Sequence, residues 1–193
     1  MKIYCIGDSL TEGDYGIFGK RCIANIHKEN YPYFLSLITG ADVVNCGRCG
    51  ITATGYLDYY IDGNVILENA DKIIVILGTN GGLDGNEETQ GNKDYDRLIK
   101  LFRKDAPEAE IIICTPPHVT TDPGMSGCGC EEKVQKAVAF VRKYAAEKEI
   151  KLIDLQSRPE FTAETEKVYQ ANDGVHFVEA GYKKLAEIIA ENI

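Results

Sequence analysis

The sequence predicts an α/β fold: one open, doubly wound parallel sheet of five strands with helices on both faces. Three observations predict it. Five short apolar runs are spaced along the 193 residues, and two of them, KIIVIL and EIIIC, lack polar/apolar alternation, as parallel strands covered on both faces do. Between the runs lie segments whose apolar residues recur at helical spacing. A chain of this length with 44% hydrophobic residues can bury one substantial core, and no internal repeat or low-complexity linker divides it. We therefore expect a single domain over residues 1–193.

The chain opens MKIYCIGDSLTEG, and the apolar run of this first strand stops abruptly at Gly7-Asp8-Ser9. NYPYFLSLITG then suits a helix, with Pro32 tolerated in its first turn and Gly40 as a stop. ADVVNC (41–46) and KIIVILG (72–78) read as the second and third strands, EIIICTP (110–116) and IKLIDL (150–155) as the fourth and fifth. Tyr95, Leu98, Ile99 and Phe102 mark one amphipathic helix. Val134, Ala137, Val138 and Val141 mark another, and Tyr182, Leu185, Ala186 and Ile189 the last. The least patterned stretches, 81–93 and 118–130, directly follow strands. Ligands of such sheets bind at the carboxyl ends of the strands, so these two loops should rim the site.

Composition narrows the partners. Lys+Arg 21 against Asp+Glu 30 gives a formal charge of -9, which repels nucleic-acid phosphates and anionic lipid headgroups. The apolar run after Met1-Lys2 is too short for a signal-peptide core or a membrane span, so a cytoplasmic location is expected. The count of 7 cysteines is odd, and Cys5 and Cys114 sit inside apolar runs as small buried hydrophobes would.

Chemistry-bearing residues collect at the strand ends: Gly7-Asp8-Ser9, Cys46 to Gly50, Gly78 to Gly81, and Thr115 to His118. Asp173 and His176 follow in NDGVHF, ahead of the last helix. Gly7-Asp8-Ser9 and Asn80 could be ordinary turn formers, and His176 a structural histidine. Taken together, these positions hold every residue type of a serine hydrolase: a nucleophile, an imidazole, a carboxylate to orient it, and oxyanion donors. His118 lacks a nearby carboxylate in phase and is expected at the rim, with Asp8 and Arg48 as further candidate substrate contacts. His27 lies in a polar stretch and reads as solvated. Cys46, Cys49, Cys128 and Cys130 could in principle form a tetrahedral zinc site. Against this, the second pair is C-x-C, and the first lies within a strand-end block that would serve the oxyanion.

The sequence resembles the GDSL, or SGNH, hydrolase family throughout. GDSLTEG matches its first block, VVNCGRCGITATG the second, GTN the third and DGVHF the last, in the family's order. The resemblance implies a strand order of 2-1-3-4-5, with Ser9 as nucleophile, His176 as general base and acid, and Asp173 as its orienting carboxylate. It also implies an oxyanion hole from the N–H groups of Ser9 and Gly50 and the side-chain amide of Asn80. Where the family often has an aspartate after the third-block asparagine, this chain has Gly81-Gly82. The activity implied is ester hydrolysis through an acyl-enzyme, without metal or other cofactor. Short acyl groups on a small molecule or oligosaccharide are the expected substrates. Alternatives are a lysophospholipase or thioesterase of the same family, or a module that binds acylated ligands without turnover.

Overall fold

The computed structural model describes residues 1–16 and 29–193. Five parallel strands form one sheet in the order β2-β1-β3-β4-β5. They are β1 (Lys2–Gly7), β2 (Asp42–Gly47), β3 (Lys72–Ile76), β4 (Glu110–Cys114) and β5 (Lys151–Ile153). The last three end earlier than their apolar runs. After β5, for example, Leu155–Ser157 turn into a 3-10 helix, which buries Leu155 without continuing the ladder.

Strand alternation divides the core in two. Tyr4, Ile6, Ile73, Val75, Ile111 and Ile113 face one layer, built by α3 (Ala53–Ile61), α4 (Gln90–Asp105) and α5 (Glu131–Lys148). Ile3, Cys5, Ile74, Ile76, Ile112 and Cys114 face the other, formed by α2 (Tyr31–Thr39) and α7 (Glu179–Ala190). The central strands β1, β3 and β4 are apolar on both sides because each side meets helices, which is why KIIVIL and EIIIC show no alternation.

Helix starts follow side-chain chemistry. Asn30, Thr52 and Thr89 each accept a backbone N–H at the head of α2, α3 and α4. Such caps contribute on the order of 1 kcal/mol apiece. Helix α3 is absent from the sequence expectations, although Ala53, Tyr56, Leu57 and Tyr60 have helical spacing and are all buried. Two short helices, α1 (Ser9–Glu12) and α6 (Glu166–Tyr169), were likewise not expected. No helix among the described residues is long and apolar enough to cross a membrane.

What matters for the site is the register. Gly7 pairs with Gly47 on one side and Ile76 on the other, so β1, β2 and β3 finish level. The chain therefore leaves the sheet at one edge in three places, just ahead of Ser9, Arg48 and Asn80.

Candidate active site

Ser9 begins α1 directly above the end of β1. Asp8 caps that helix, its Oδ1 accepting the Leu10 N–H at 3.0 Å. The helix lies across the neighbouring strand end. A Cβ on Gly47 would fall 2.1 Å from the Glu12 nitrogen, so only glycine lets the two backbones approach this closely. Ser9 itself is buried, at 4% exposure.

Its hydroxyl meets a histidine from the far end of the chain. Ser9 Oγ is 2.9 Å from His176 Nε2, and His176 Nδ1 is 2.6 Å from Asp173 Oδ2. An ionised carboxylate only accepts, so the ring proton sits on Nδ1 and Nε2 is left to accept from the serine hydroxyl. Asp173 Oδ1 takes the backbone N–H groups of Val175 and His176, both at 3.0 Å, which locks the one-turn spacing of the pair. The loop carrying them is pinned by backbone bonds: Ala171 donates to the His176 carbonyl, Gly127 to Asp173, and Thr120 to Gly174.

Burial alone would lower the His176 pKa. The Asp173 hydrogen bond, with the charges of Asp173, Asp14 and Asp8, overrides it and holds the imidazole above its ordinary value. Asp173 experiences the converse: burial raises it, but His176 and the two N–H donors leave it below the usual aspartate value. The arrangement can draw a proton from the serine hydroxyl and stabilise the resulting imidazolium.

The second strand-end loop is fixed from below. Glu12 Oε2 accepts the Cys49 N–H, and Arg48 donates its backbone N–H to the Gly7 carbonyl at 3.0 Å. Gly50 adopts φ 74°, in the left-handed region that glycine enters without strain. Asn80 Nδ2 donates to the Ile51 carbonyl at 3.0 Å, tying the third strand end to this loop. An amide carries two N–H donors, so this bond leaves one for a ligand.

Of the three expected substrate contacts, Asp8 and His118 are placed differently from the expectation, and Arg48 stays at the surface. Asp8 is fully buried beneath Ser9, where burial pushes its carboxyl up to about 6, so it supports the helix and cannot reach a ligand. His118 does have a carboxylate partner: Nε2 lies 2.7 Å from Oε1 of the buried Glu166, which comes from α6. Glu166 also accepts from Thr120 Oγ1, so the pair braces the segment around the Asp173 loop instead of standing open at the rim. Arg48 is exposed and lays its guanidinium over the Tyr59 ring, 5.5 Å from the centroid.

The cysteines are dispersed. Cys46 packs against the core, Cys49 sits beside Asp14, Cys130 packs on Val134 and Val138 near the head of α5, and Cys128 is exposed. Among the described residues no three His, Cys, Asp or Glu side chains converge on a common point for a metal ion. His27 lies outside the described residues.

Sequence reasoning passed over Glu12 and Asp14. Asp14 Oδ2 stands 4.0 Å from His176 Nε2, the nitrogen that faces Ser9. Both residues lie within six positions of Ser9, and that proximity was the available signal.

Comparison with known proteins agrees with this architecture. A family model described as the GDSL-like lipase/acylhydrolase family matches residues 5–184. An acetylxylan esterase from Xylanibacter ruminicola is 25% identical over an alignment of 221 positions, covering 100% of this chain. The chain spans only 43% of that relative's length. Among solved structures, a lipase/acylhydrolase from Enterococcus faecalis superposes with a TM-score of 0.72 at 21% identity, covering 98% of this chain and 93% of its own. A carbohydrate acetylesterase family member from Sinorhizobium meliloti gives 0.74 at 19% identity, with 98% and 95% covered. At these identities the likeness is one of fold.

Proposed function

The chain belongs to the GDSL-like lipase/acylhydrolase family, and on that premise we propose that it is a serine esterase removing short acyl groups, acetyl above all, from carbohydrate or similar small alcohols. The observation that carries the reading is the unbroken chain of hydrogen bonds from Ser9 through His176 to Asp173 at the strand ends.

In this mechanism Ser9 Oγ attacks the ester carbonyl while His176 Nε2 takes the hydroxyl proton. The N–H groups of Ser9 and Gly50 and the Asn80 amide stabilise the oxyanion. As the tetrahedral species collapses, the carbonyl–alkoxy bond breaks and His176 returns the proton to the departing alcohol. Water, deprotonated by the same imidazole, then cleaves the acyl-enzyme and restores the serine. No metal or cofactor enters these steps.

Short acyl groups are favoured by where the loop side chains go. Leu83 and Val119, the large aliphatic residues of the two rim loops besides Met125, are each 2% exposed and packed inward, so they offer no apolar wall to a long chain. Each buried methylene is worth about 0.8 kcal/mol, so a lipid groove would reward every added carbon several-fold. Across p-nitrophenyl esters below micelle-forming concentrations, kcat/KM should peak between acetyl and butyryl and decline by octanoyl. A steady climb to dodecanoyl would replace this reading with the lysophospholipase or thioesterase alternative. Fluorophosphonate labelling followed by peptide mapping should place the adduct on Ser9. An unlabelled, folded protein would point to a binding module instead.

The electrostatics set the pH dependence. Neutral His176 is the working base, and the surrounding carboxylates favour its protonated form, so protonation sets in at a higher pH than for an ordinary histidine. The kcat/KM profile should therefore rise with pH through a midpoint above the ordinary histidine value. In Asp173→Asn, the residual activity should show that midpoint moved down. A flat acid-to-neutral profile, with acylation shown to be rate-limiting, would rule out histidine as the base.

A further inference from the structure

We propose that Asp14 is a specificity residue that accepts a hydrogen bond from a free hydroxyl adjacent to the esterified one, which makes the preferred substrates neutral polyhydroxy esters with an unsubstituted vicinal hydroxyl. The proposal rests on the esterase reading of the same site.

The geometry begins at His176 Nε2. That nitrogen must hand its proton to the leaving oxygen, so the leaving oxygen comes within hydrogen-bond reach of it. Asp14 Oδ2 lies 4.0 Å from the same nitrogen. A group beside the leaving oxygen therefore falls within reach of the Asp14 carboxylate. On a vicinal diol ester, that group is the neighbouring hydroxyl.

The carboxylate is held in place for this role. Its side chain is 15% exposed, its Oδ1 accepts the Gly16 N–H at 2.9 Å, and its Oδ2 accepts from the Cys49 thiol at 3.5 Å. The backbone is tied as well: the Asp14 N–H donates to the Ser9 carbonyl at 3.0 Å, and the Tyr182 hydroxyl donates to the Asp14 carbonyl. Asp14 thus moves with the serine it accompanies.

The chemistry of the acceptor selects the ligand. An ionised carboxylate has no proton to give, so its partner must be a donor, and a sugar hydroxyl is one. A simple alkyl alcohol would place methylenes against the charge and displace its water without offering a bond. An anionic leaving group would be repelled, which disfavours phosphate-bearing lipid esters.

The test uses two esters that differ by one hydroxyl on a six-membered ring: trans-2-hydroxycyclohexyl acetate and cyclohexyl acetate. Their ratio of kcat/KM cancels any general loss of activity in a variant. Wild type should prefer the hydroxylated ester by about ten- to a hundredfold, the range of a charge-assisted hydrogen bond. In Asp14→Ala the ratio should collapse toward unity. Asp14→Asn, which keeps the shape and a neutral acceptor, should fall between and serves if the alanine variant does not fold. A wild-type ratio near unity, or a high ratio that survives in folded Asp14 variants, overturns the role of Asp14 while leaving the esterase intact. Failure of wild type to turn over either ester overturns the esterase reading and the Asp14 role with it.

Discussion

Ser9→Ala and His176→Ala should each abolish nearly all turnover, with losses on the order of 10^4- to 10^6-fold in kcat and a double variant scarcely worse. The reason lies in the 2.9 Å contact between Ser9 Oγ and His176 Nε2. On the proposed mechanism the imidazole matters because it takes the proton of that one hydroxyl, and the hydroxyl is a competent nucleophile only while the proton has somewhere to go. Removing either partner therefore removes one function, not two. Residual activity should reflect the oxyanion donors and substrate binding alone. Stopped assays on purified variants, with circular dichroism to confirm folding, measure this directly. If His176→Ala kept more than a tenth of wild-type kcat, the base would lie elsewhere. His118 is then the residue to examine, although its engagement with Glu166 argues for a bracing role.

Asn80→Ala should lower kcat by about 10^2- to 10^3-fold with a smaller change in KM. The amide is proposed to bond the developing oxyanion more strongly than the ground-state carbonyl, so the loss belongs to the transition state. Asn80 also holds the Ile51 carbonyl at 3.0 Å, and the variant would loosen the loop that presents Gly50. The two contributions separate by temperature and label. A lost oxyanion donor slows fluorophosphonate labelling of Ser9 at unchanged melting temperature, whereas a purely structural Asn80 lowers the melting temperature and preserves activity per folded molecule.

The elements differ in how plainly the sequence marks them. The central strands were the most legible because β1, β3 and β4 are buried on both faces, and KIIVI and EIIIC carry that fact as uninterrupted aliphatic runs. Helices α4, α5 and α7 announced themselves by period. Helix α3 did so equally, through Thr52 and the Ala53, Tyr56, Leu57, Tyr60 spacing, yet its residues adjoin a strand-end block read for its loop chemistry. Ser9, Asp173 and His176 could be singled out because their residue types stand at strand ends and in a one-turn pair.

What the sequence concealed were the contacts made across the fold. Glu166 lies 48 residues beyond His118 and reads as an ordinary surface glutamate until α6 folds under the loop. Asp8 looks like an accessible turn residue, since nothing local shows that α1 closes over it. Asp14 meets His176 only because the register sets the β1 end beneath the loop before α7. Spacing along the chain carries no trace of such meetings.

The separation of Ser9 from His176 by 167 positions has a consequence for the life of the chain itself. During synthesis the serine leaves the ribosome 167 residues ahead of its imidazole. Until the imidazole follows, the hydroxyl is an ordinary alcohol, with no partner to take its proton. On the proposed mechanism, competence arrives only when α7 docks beside α2 and carries the preceding loop to the β1 edge. On that mechanism, acquisition of activity would report on this tertiary docking rather than on formation of the sheet. A nascent chain halted before Asp173 should fold much of its central layer and remain inert, and supplying the missing segment as a separate peptide offers a way to time that final step.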